Sequence, residues 1–290
     1  MPKNVELTAK KKLGQNFLVN GGAQLKVFSC FEKIVNQYKP NWIMEIGPGQ
    51  GDISQHLSDL KLPFFAIEYD HDAINLMSKK EYVVDKKMQI CHGDALEIIA
   101  NRSLVNFFQE NTVPDFRADL DLNSRFCLFS SLPYNIGSRI LVDMGINYPN
   151  LPFTVLLQKE VASKTKISDN KLTVFGIWLN LFWDFTIEGS LAGGNFYPAP
   201  RVTSSILTGR PKEKIPEFVE TIEKRKIALA VVKKLLAFSK KTLSNNLKGM
   251  GWEMEKIAEF MKNENLDIEK ARLTKGNYLH LIQKIIQIES

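Results

Sequence analysis

The residues best suited to chemistry form an ordered series in the first half of the chain. A strand-like run ends in Glu45-Ile46-Gly47-Pro48-Gly49-Gln50-Gly51 and passes into a helical stretch. Glycines at alternate positions let the backbone turn tightly and bring its amides close to a ligand at a helix N-terminus. The spacing is G-x-G-x-G, not the G-x-G-x-x-G of most dinucleotide folds, and no Lys-Ser or Lys-Thr pair follows as a P-loop requires. Glu68 closes the next strand 17 residues after Gly51. There a carboxylate can accept hydrogen bonds from both hydroxyls of a ribose. Asp94, in His92-Gly93-Asp94-Ala95, closes the third strand and can accept from an adenine amine. The fourth strand runs into Ser131-Leu132-Pro133-Tyr134, which by itself reads as a helix-capping serine and a turn proline.

These residues need a frame, and the hydrophobic pattern supplies one. Trp42–Ile46, Phe64–Ile67, Met88–Cys91, Phe126–Phe129 and Phe153–Leu157 are short apolar runs that read as buried strands. Helical spacing over Ala23–Tyr38, Asp52–Leu60, Asp72–Lys80, Leu96–Glu110 and Ser138–Asn147 separates them. The alternation predicts an α/β fold, a doubly wound and mostly parallel sheet covered on both faces. Further on, Leu172–Trp183 reads as a helix, with Phe185–Gly189 and Ser205–Leu207 as strands. A Pro- and Lys-rich linker at Arg210–Pro216 leads into a tail with helical periodicity and no strand signal. Two domains are expected, residues 1–209 and a small α-helical one at 210–290.

Charge divides the chain at the same place. The net charge is +6, yet residues 210–290 hold 17 basic and 11 acidic side chains against 21 and 21 before them. Lys224–Lys248 carries eight basic residues and no acidic one. A solvated Lys-rich helix is one reading; a surface facing a polyanion, with nucleic acid foremost, is the other. Lys233, Lys234, Lys240, Lys241 and Lys248 are the candidates there, joined by Lys10, Lys11 and Lys12 of the N-terminal arm and by Arg201. No long apolar run spans a membrane, and the polar, Lys-rich N-terminus has no secretory h-region. Three scattered cysteines make neither a disulfide framework nor a metal knuckle, and the four histidines show no metal spacing. The expectation is a cytoplasmic, monomeric protein without a metal site or a membrane partner.

Acidic residue, glycine loop, strand-end Glu and strand-end Asp in this order resemble the S-adenosylmethionine fold of class I methyltransferases, a Rossmann-like sheet. Ser131-Leu132-Pro133-Tyr134 falls where exocyclic-amine methyltransferases carry Asp, Asn or Ser, then x-Pro, then an aromatic residue. Four more segments narrow the resemblance to the ribosomal RNA adenine N6,N6-dimethyltransferases. Lys12–Leu18 is similar to the family's G-Q-N-F-L element, and Gln158–Ala162 to its Q-x-E-V-A. Phe196–Ser204 resembles F-x-P-x-P-x-V-x-S, and Phe238–Lys248 resembles the basic K-K-T-L-x-N helix. The resemblance spans residues 10–283.

It implies S-adenosylmethionine as cofactor, held by Asn16, Leu18, Gly47, Gly49, Gly51, Glu68, Asp94 and Ser131. The implied catalytic group is Ser131, Leu132, Pro133, Tyr134 and Phe196, with Tyr134 and Phe196 sandwiching a target adenine. The implied substrate is small-subunit ribosomal RNA within an assembling subunit, dimethylated at two adjacent adenines of a hairpin loop near its 3′ end. Two rivals stay open: the antibiotic-resistance branch acting on large-subunit RNA, and a non-catalytic nucleic-acid-binding relative. Ser131, where the family most often has Asn, motivates the second and points to tuned or weakened activity. The stretch 97–125 matches no motif.

Overall fold

A computed structural model describes residues 6–85, 88–101, 103–111, 125–169, 171–237 and 241–289. Strand β1 (Phe17–Leu18) precedes helix α1 (Gly21–Tyr38), β2 (Trp42–Ile46), α2 (Ser54–Ser58), β3 (Phe64–Glu68), α3 (His71–Met77), α4 (Glu81–Val84) and β4 (Met88–His92). Then come α5 (Ala95–Asn101), α6 (Leu104–Asn111), β5 (Phe126–Ser131), α7 (Gly137–Asn147), β6 (Phe153–Gln158) and α8 (Lys159–Ser163). Helix α9 (Val174–Asn180), β7 (Trp183–Leu191), β8 (Phe196–Tyr197) and β9 (Ser204–Pro211) follow. Helices α10 (Ile222–Leu235), α11 (Leu243–Gly249), α12 (Met254–Asn263) and α13 (Tyr278–Glu289) close the chain.

The main sheet has seven strands in the order β4-β3-β2-β5-β6-β9-β7. Strands β4, β3, β2, β5 and β6 run parallel, and β9 is antiparallel to both β6 and β7. Every residue of β2 and β3 is buried, as strands covered on two faces require. Successive side chains point to opposite faces, so Phe64 and Phe65 serve different layers. Phe64 and Ala66 join the cluster built on α1, where Phe31 meets Phe129 edge-on at 5.7 Å. Phe65 stacks on Trp42 at 4.8 Å and on Phe108 of α6 at 4.2 Å. Chain order reverses between β3 and β5 on either side of β2, and crevices at such switch points are where open α/β sheets bind ligands.

The doubly wound, mostly parallel sheet expected from the sequence is the one found, with three local differences. The stretch read as one helix over Leu96–Glu110 is two, because Ser103 starts a new helix by accepting the Asn106 amide at 3.4 Å. The helix read over Leu172–Trp183 ends at Asn180, and Trp183 opens β7, its indole donating to the Leu151 carbonyl at 3.0 Å. Third, Phe17–Leu18 forms a two-residue antiparallel ladder with Phe196–Tyr197 that no periodicity announces.

The chain divides into two compact units, 1–162 with 183–211, and 163–182 with 212–290. A single cut at 209/210 therefore differs from this division in the segment Ser163–Phe182 and at Arg210 and Pro211, which end β9 and so belong to the first unit, not to a linker. That segment carries α9, which packs against α10, while α10 packs against α11 and α13. Trp178 and Phe182 meet edge-on at 4.9 Å in this second unit, whereas Trp183 belongs to the first. Buried Ala228, Leu229, Val231, Val232 and Leu235 give α10 its apolar face.

Candidate active site

A cavity of about 320 Å³ opens in the first unit where the C-terminal ends of β2, β3 and β5 meet. The glycine loop forms its floor. Gly47, Gly49 and Gly51 have φ of 67°, 58° and 87°, left-handed values that suit glycine. A side chain at Gly51 would strike Met77 and Tyr82, but one at Gly47 would meet no protein atom within 4 Å. The loop thus packs tightly on its outer side and stays bare at Gly47.

Glu68 ends β3, buried and held by main-chain amides: Oε2 accepts from Gly49 at 3.1 Å, Oε1 from Tyr69 and Asp70 at 2.8 Å each. Burial raises its pKa, and the three amides partly offset that by favouring the carboxylate. Asp94 is exposed at the cavity, its Oδ1 accepting the Leu96 amide at 2.8 Å. Glu45 at the end of β2 is sealed from water, and Ser54 Oγ donates to it at 2.6 Å. Burial pushes the Glu45 carboxyl up to about 8, and that of Asp52 to about 6.

The N-terminal segment 12–18 lines the same cavity. Gln15 ties it down, accepting from the Lys10 amide at 2.7 Å and donating to Asp70 at 2.8 Å. Lys10 was expected at an RNA backbone. Its ammonium lies 2.5 Å from both Asp70 Oδ1 and Asp72 Oδ2, so it pairs with two carboxylates of the same unit. Asn16 donates to the Gly14 carbonyl at 3.0 Å, and Leu18 pairs with Phe196.

Ser131, Leu132, Pro133 and Tyr134 follow β5 along one wall. Ser130 Oγ donates to the Ile46 carbonyl at 2.6 Å, fastening this strand end to the glycine-loop strand. The Tyr134 hydroxyl lies 2.6 Å from Ser204 Oγ, and Phe196 is buried nearby on the cavity. Every expected cofactor-site residue except Gly51 lines the cavity, as does every expected catalytic residue. The sequence reading missed Tyr69, Asn135 and Ser204, which line it too. Tyr69 and Asn135 adjoin Glu68 and Tyr134, and Ser204 closes the F-x-P-x-P-x-V-x-S segment, so all three were within reach of a motif reading; what only the structure adds is the contact of Ser204 with Tyr134.

Of the remaining basic candidates, Lys11, Lys12 and Arg201 are exposed in the first unit. Lys233, Lys234, Lys241 and Lys248 are exposed in the second, and Lys240 lies outside the described residues. Among the described residues no group of three or more His, Cys, Asp or Glu side chains is placed to hold a metal ion. Nor is any helix there long and apolar enough to cross a membrane.

A doubly wound sheet with a glycine loop, an amide-held Glu and an S-L-P-Y wall around one cavity defines a group-transfer enzyme of the class I methyltransferase type. The family model for ribosomal RNA adenine dimethylase matches residues 6–287, and the chain belongs to that family; it is a methyltransferase. Among curated proteins it is similar to the ribosomal RNA small subunit methyltransferase A of Lactobacillus helveticus, at 27% identity over 96% of this chain and 91% of that protein. The protein of the same name from Metamycoplasma arthritidis is 30% identical over 84% of this chain and 83% of its own length. A dimethyladenosine transferase from Plasmodium falciparum superposes with a TM-score of 0.59 at 18% identity, covering 93% of this chain and 89% of that one. The 23S rRNA methyltransferase ErmE gives 0.60 at 16%, covering 93% and 99%. These two structures share the fold.

Proposed function

We propose that this methyltransferase dimethylates the N6 amines of two adjacent adenines in a hairpin loop near the 3′ end of small-subunit ribosomal RNA, acting on an assembling subunit with S-adenosylmethionine as donor. The observation that carries the reading is the convergence of the Glu68 cradle and the S-L-P-Y wall on one cavity. The cavity suits a nucleoside-bearing donor. Glu68 offers a fixed carboxylate for ribose hydroxyls, Asp94 an acceptor for an adenine amine, and the bare face of Gly47 leaves room against the backbone. Asn16 and Leu18 of the N-terminal segment border the same space.

When bound, S-adenosylmethionine supplies an electrophilic methyl group on a sulfonium. The protein's own part is to prepare the amine. An adenine amine is a poor nucleophile because its lone pair is delocalised into the ring. Ser131 Oγ and the Leu132 carbonyl accept its two N–H groups, favouring a pyramidal nitrogen with a freed lone pair. Pro133 removes a competing amide donor and helps fix that carbonyl. Tyr134 and Phe196 hold the base once it has left its stack. Catalysis is then positioning and electrostatics, and the amine loses its proton after attack, so no strong general base is required. Exposed Lys11, Lys12 and Arg201, and the basic α10 and α11, grip phosphates without reading sequence.

The test is to incubate the protein with labelled S-adenosylmethionine and small or large ribosomal subunits lacking the modification, then map the label. Dimethyladenosine near the small-subunit 3′ end is expected. Label confined to large-subunit RNA moves the protein to the resistance branch, and cofactor binding without transfer makes it a non-catalytic relative. In the same assay Ser131→Asn keeps or raises turnover. Tyr134→Ala lowers it by about one to two orders of magnitude, since base–aromatic stacking is worth about 1–3 kcal/mol.

A further inference from the structure

Tyr134 sits in the turn between β5 and α7, half-buried, where no regular ladder fixes its side chain. Ser204 is the opposite case. It opens β9 with strand partners on both sides, Gln158 of β6 and Leu191 of β7, and has no exposed surface. Its Oγ is therefore a fixed point in the sheet, and the Tyr134 hydroxyl reaches it at 2.6 Å. Stacking on a base needs only the ring, which a phenylalanine would supply equally. The hydroxyl adds a second point of attachment at the far end of the ring.

We infer that Ser204 is a positioning residue that holds the Tyr134 ring at the angle required to stack on the target adenine. The segment from Phe196 to Ser204 then controls both aromatic walls of the base pocket. It contributes one ring directly, set by the pairing of Phe196 with Leu18, and anchors the other through Ser204. Burial raises the Tyr134 pKa, partly offset by the Ser204 bond, so the phenol stays protonated at neutral pH. The inference rests on the proposed function, because it assigns Tyr134 to an adenine.

Three variants of the full chain test it: Ser204→Ala, Tyr134→Phe and the pair together. Each is measured for methylation kinetics on unmodified small subunits, for S-adenosylmethionine affinity, and for melting temperature. A hairpin RNA with 2-aminopurine at the target position reports base stacking by fluorescence quenching. Each single change is expected to lower kcat about five- to tenfold, the worth of one hydrogen bond. Quenching falls in parallel, while KM and cofactor affinity stay within about twofold. The double variant is no worse than either single one, because all three break the same contact.

Full activity in Tyr134→Phe overturns the inference, and so do additive effects in the double variant. A defect in Tyr134→Phe with a normal Ser204→Ala also overturns it, since the hydroxyl would then touch the substrate itself. A wild-type protein that methylates neither subunit overturns the proposed function and this inference with it. An active wild type with unaffected variants overturns this inference alone.

Discussion

Glu45 holds a carboxyl group out of water at the end of β2, with Ser54 Oγ as its hydrogen-bond donor. Its pKa stands at about 8 in the folded protein, against an ordinary value of 4.5. The fold therefore binds a proton that the unfolded chain has already released, and stability falls as pH rises from about 4.5 to about 8. Asp52, raised to about 6 from 3.8, adds the same trend over a lower range. Glu45→Gln keeps an acceptor for Ser54 and removes the ionisation. Its melting temperature should exceed that of the wild type at pH 8, and the gap should close towards pH 5. A gap that is constant across that range would count against burial as the cause. The acidic residue beside the glycines was legible in the sequence. Its protonation was not, because burial depends on what α2 and the loop pack over it.

At the scale of elements, the glycine loop has two faces that substitution can separate. Gly51→Ala must place a methyl group against Met77 and Tyr82 at a left-handed φ of 87°. Strain of about 1–2 kcal/mol and overpacking of about 1–3 kcal/mol both apply, so denaturant unfolding should show a loss of about 2–5 kcal/mol. Gly47→Ala carries the strain alone, about 1–2 kcal/mol, since its methyl group meets only open cavity. It should instead weaken cofactor binding, measured by calorimetry, by more than its stability loss explains. Strands and helices were legible here because buried strands read as apolar runs. The helix break at Ser103 and the early end of α9 were not, because continuous apolar residues such as Leu179, Leu181, Phe182 and Trp183 fit a helix and a strand alike. The ladder between Phe17–Leu18 and Phe196–Tyr197 joins segments about 180 residues apart, and two-residue strands leave no period to detect.

For the whole molecule the basic surplus is the feature that makes a solution prediction. Lys233 and Lys234 project from α10 and Lys248 from α11, all exposed, with no ion pair to any of them among the described residues. Replacing the three with alanine should weaken RNA binding and flatten its salt dependence. Each lost phosphate contact lowers the slope of log K against log salt by about 0.7 to 0.9. Affinity for S-adenosylmethionine should be unchanged, because the cavity lies wholly within the other unit. An unaltered salt slope would show that RNA contacts lie elsewhere. Lys10 marks the limit of reading charge from sequence: its partners Asp70 and Asp72 are about 60 residues away, and only folding brings them within reach.

The α/β alternation, the order of the cofactor-type residues, the S-L-P-Y segment and the basic tail are all legible along the chain. Those features are local, since periodicity, strand-end position and composition need no knowledge of distant contacts. Folding alone packs Ser163–Phe182 with the C-terminal helices, pairs Lys10 with Asp70 and Asp72, and brings Ser204 to the Tyr134 hydroxyl. In each case the deciding partner is remote along the chain. Apolar burial and the satisfaction of polar groups act between surfaces that exist only once the sheet has formed.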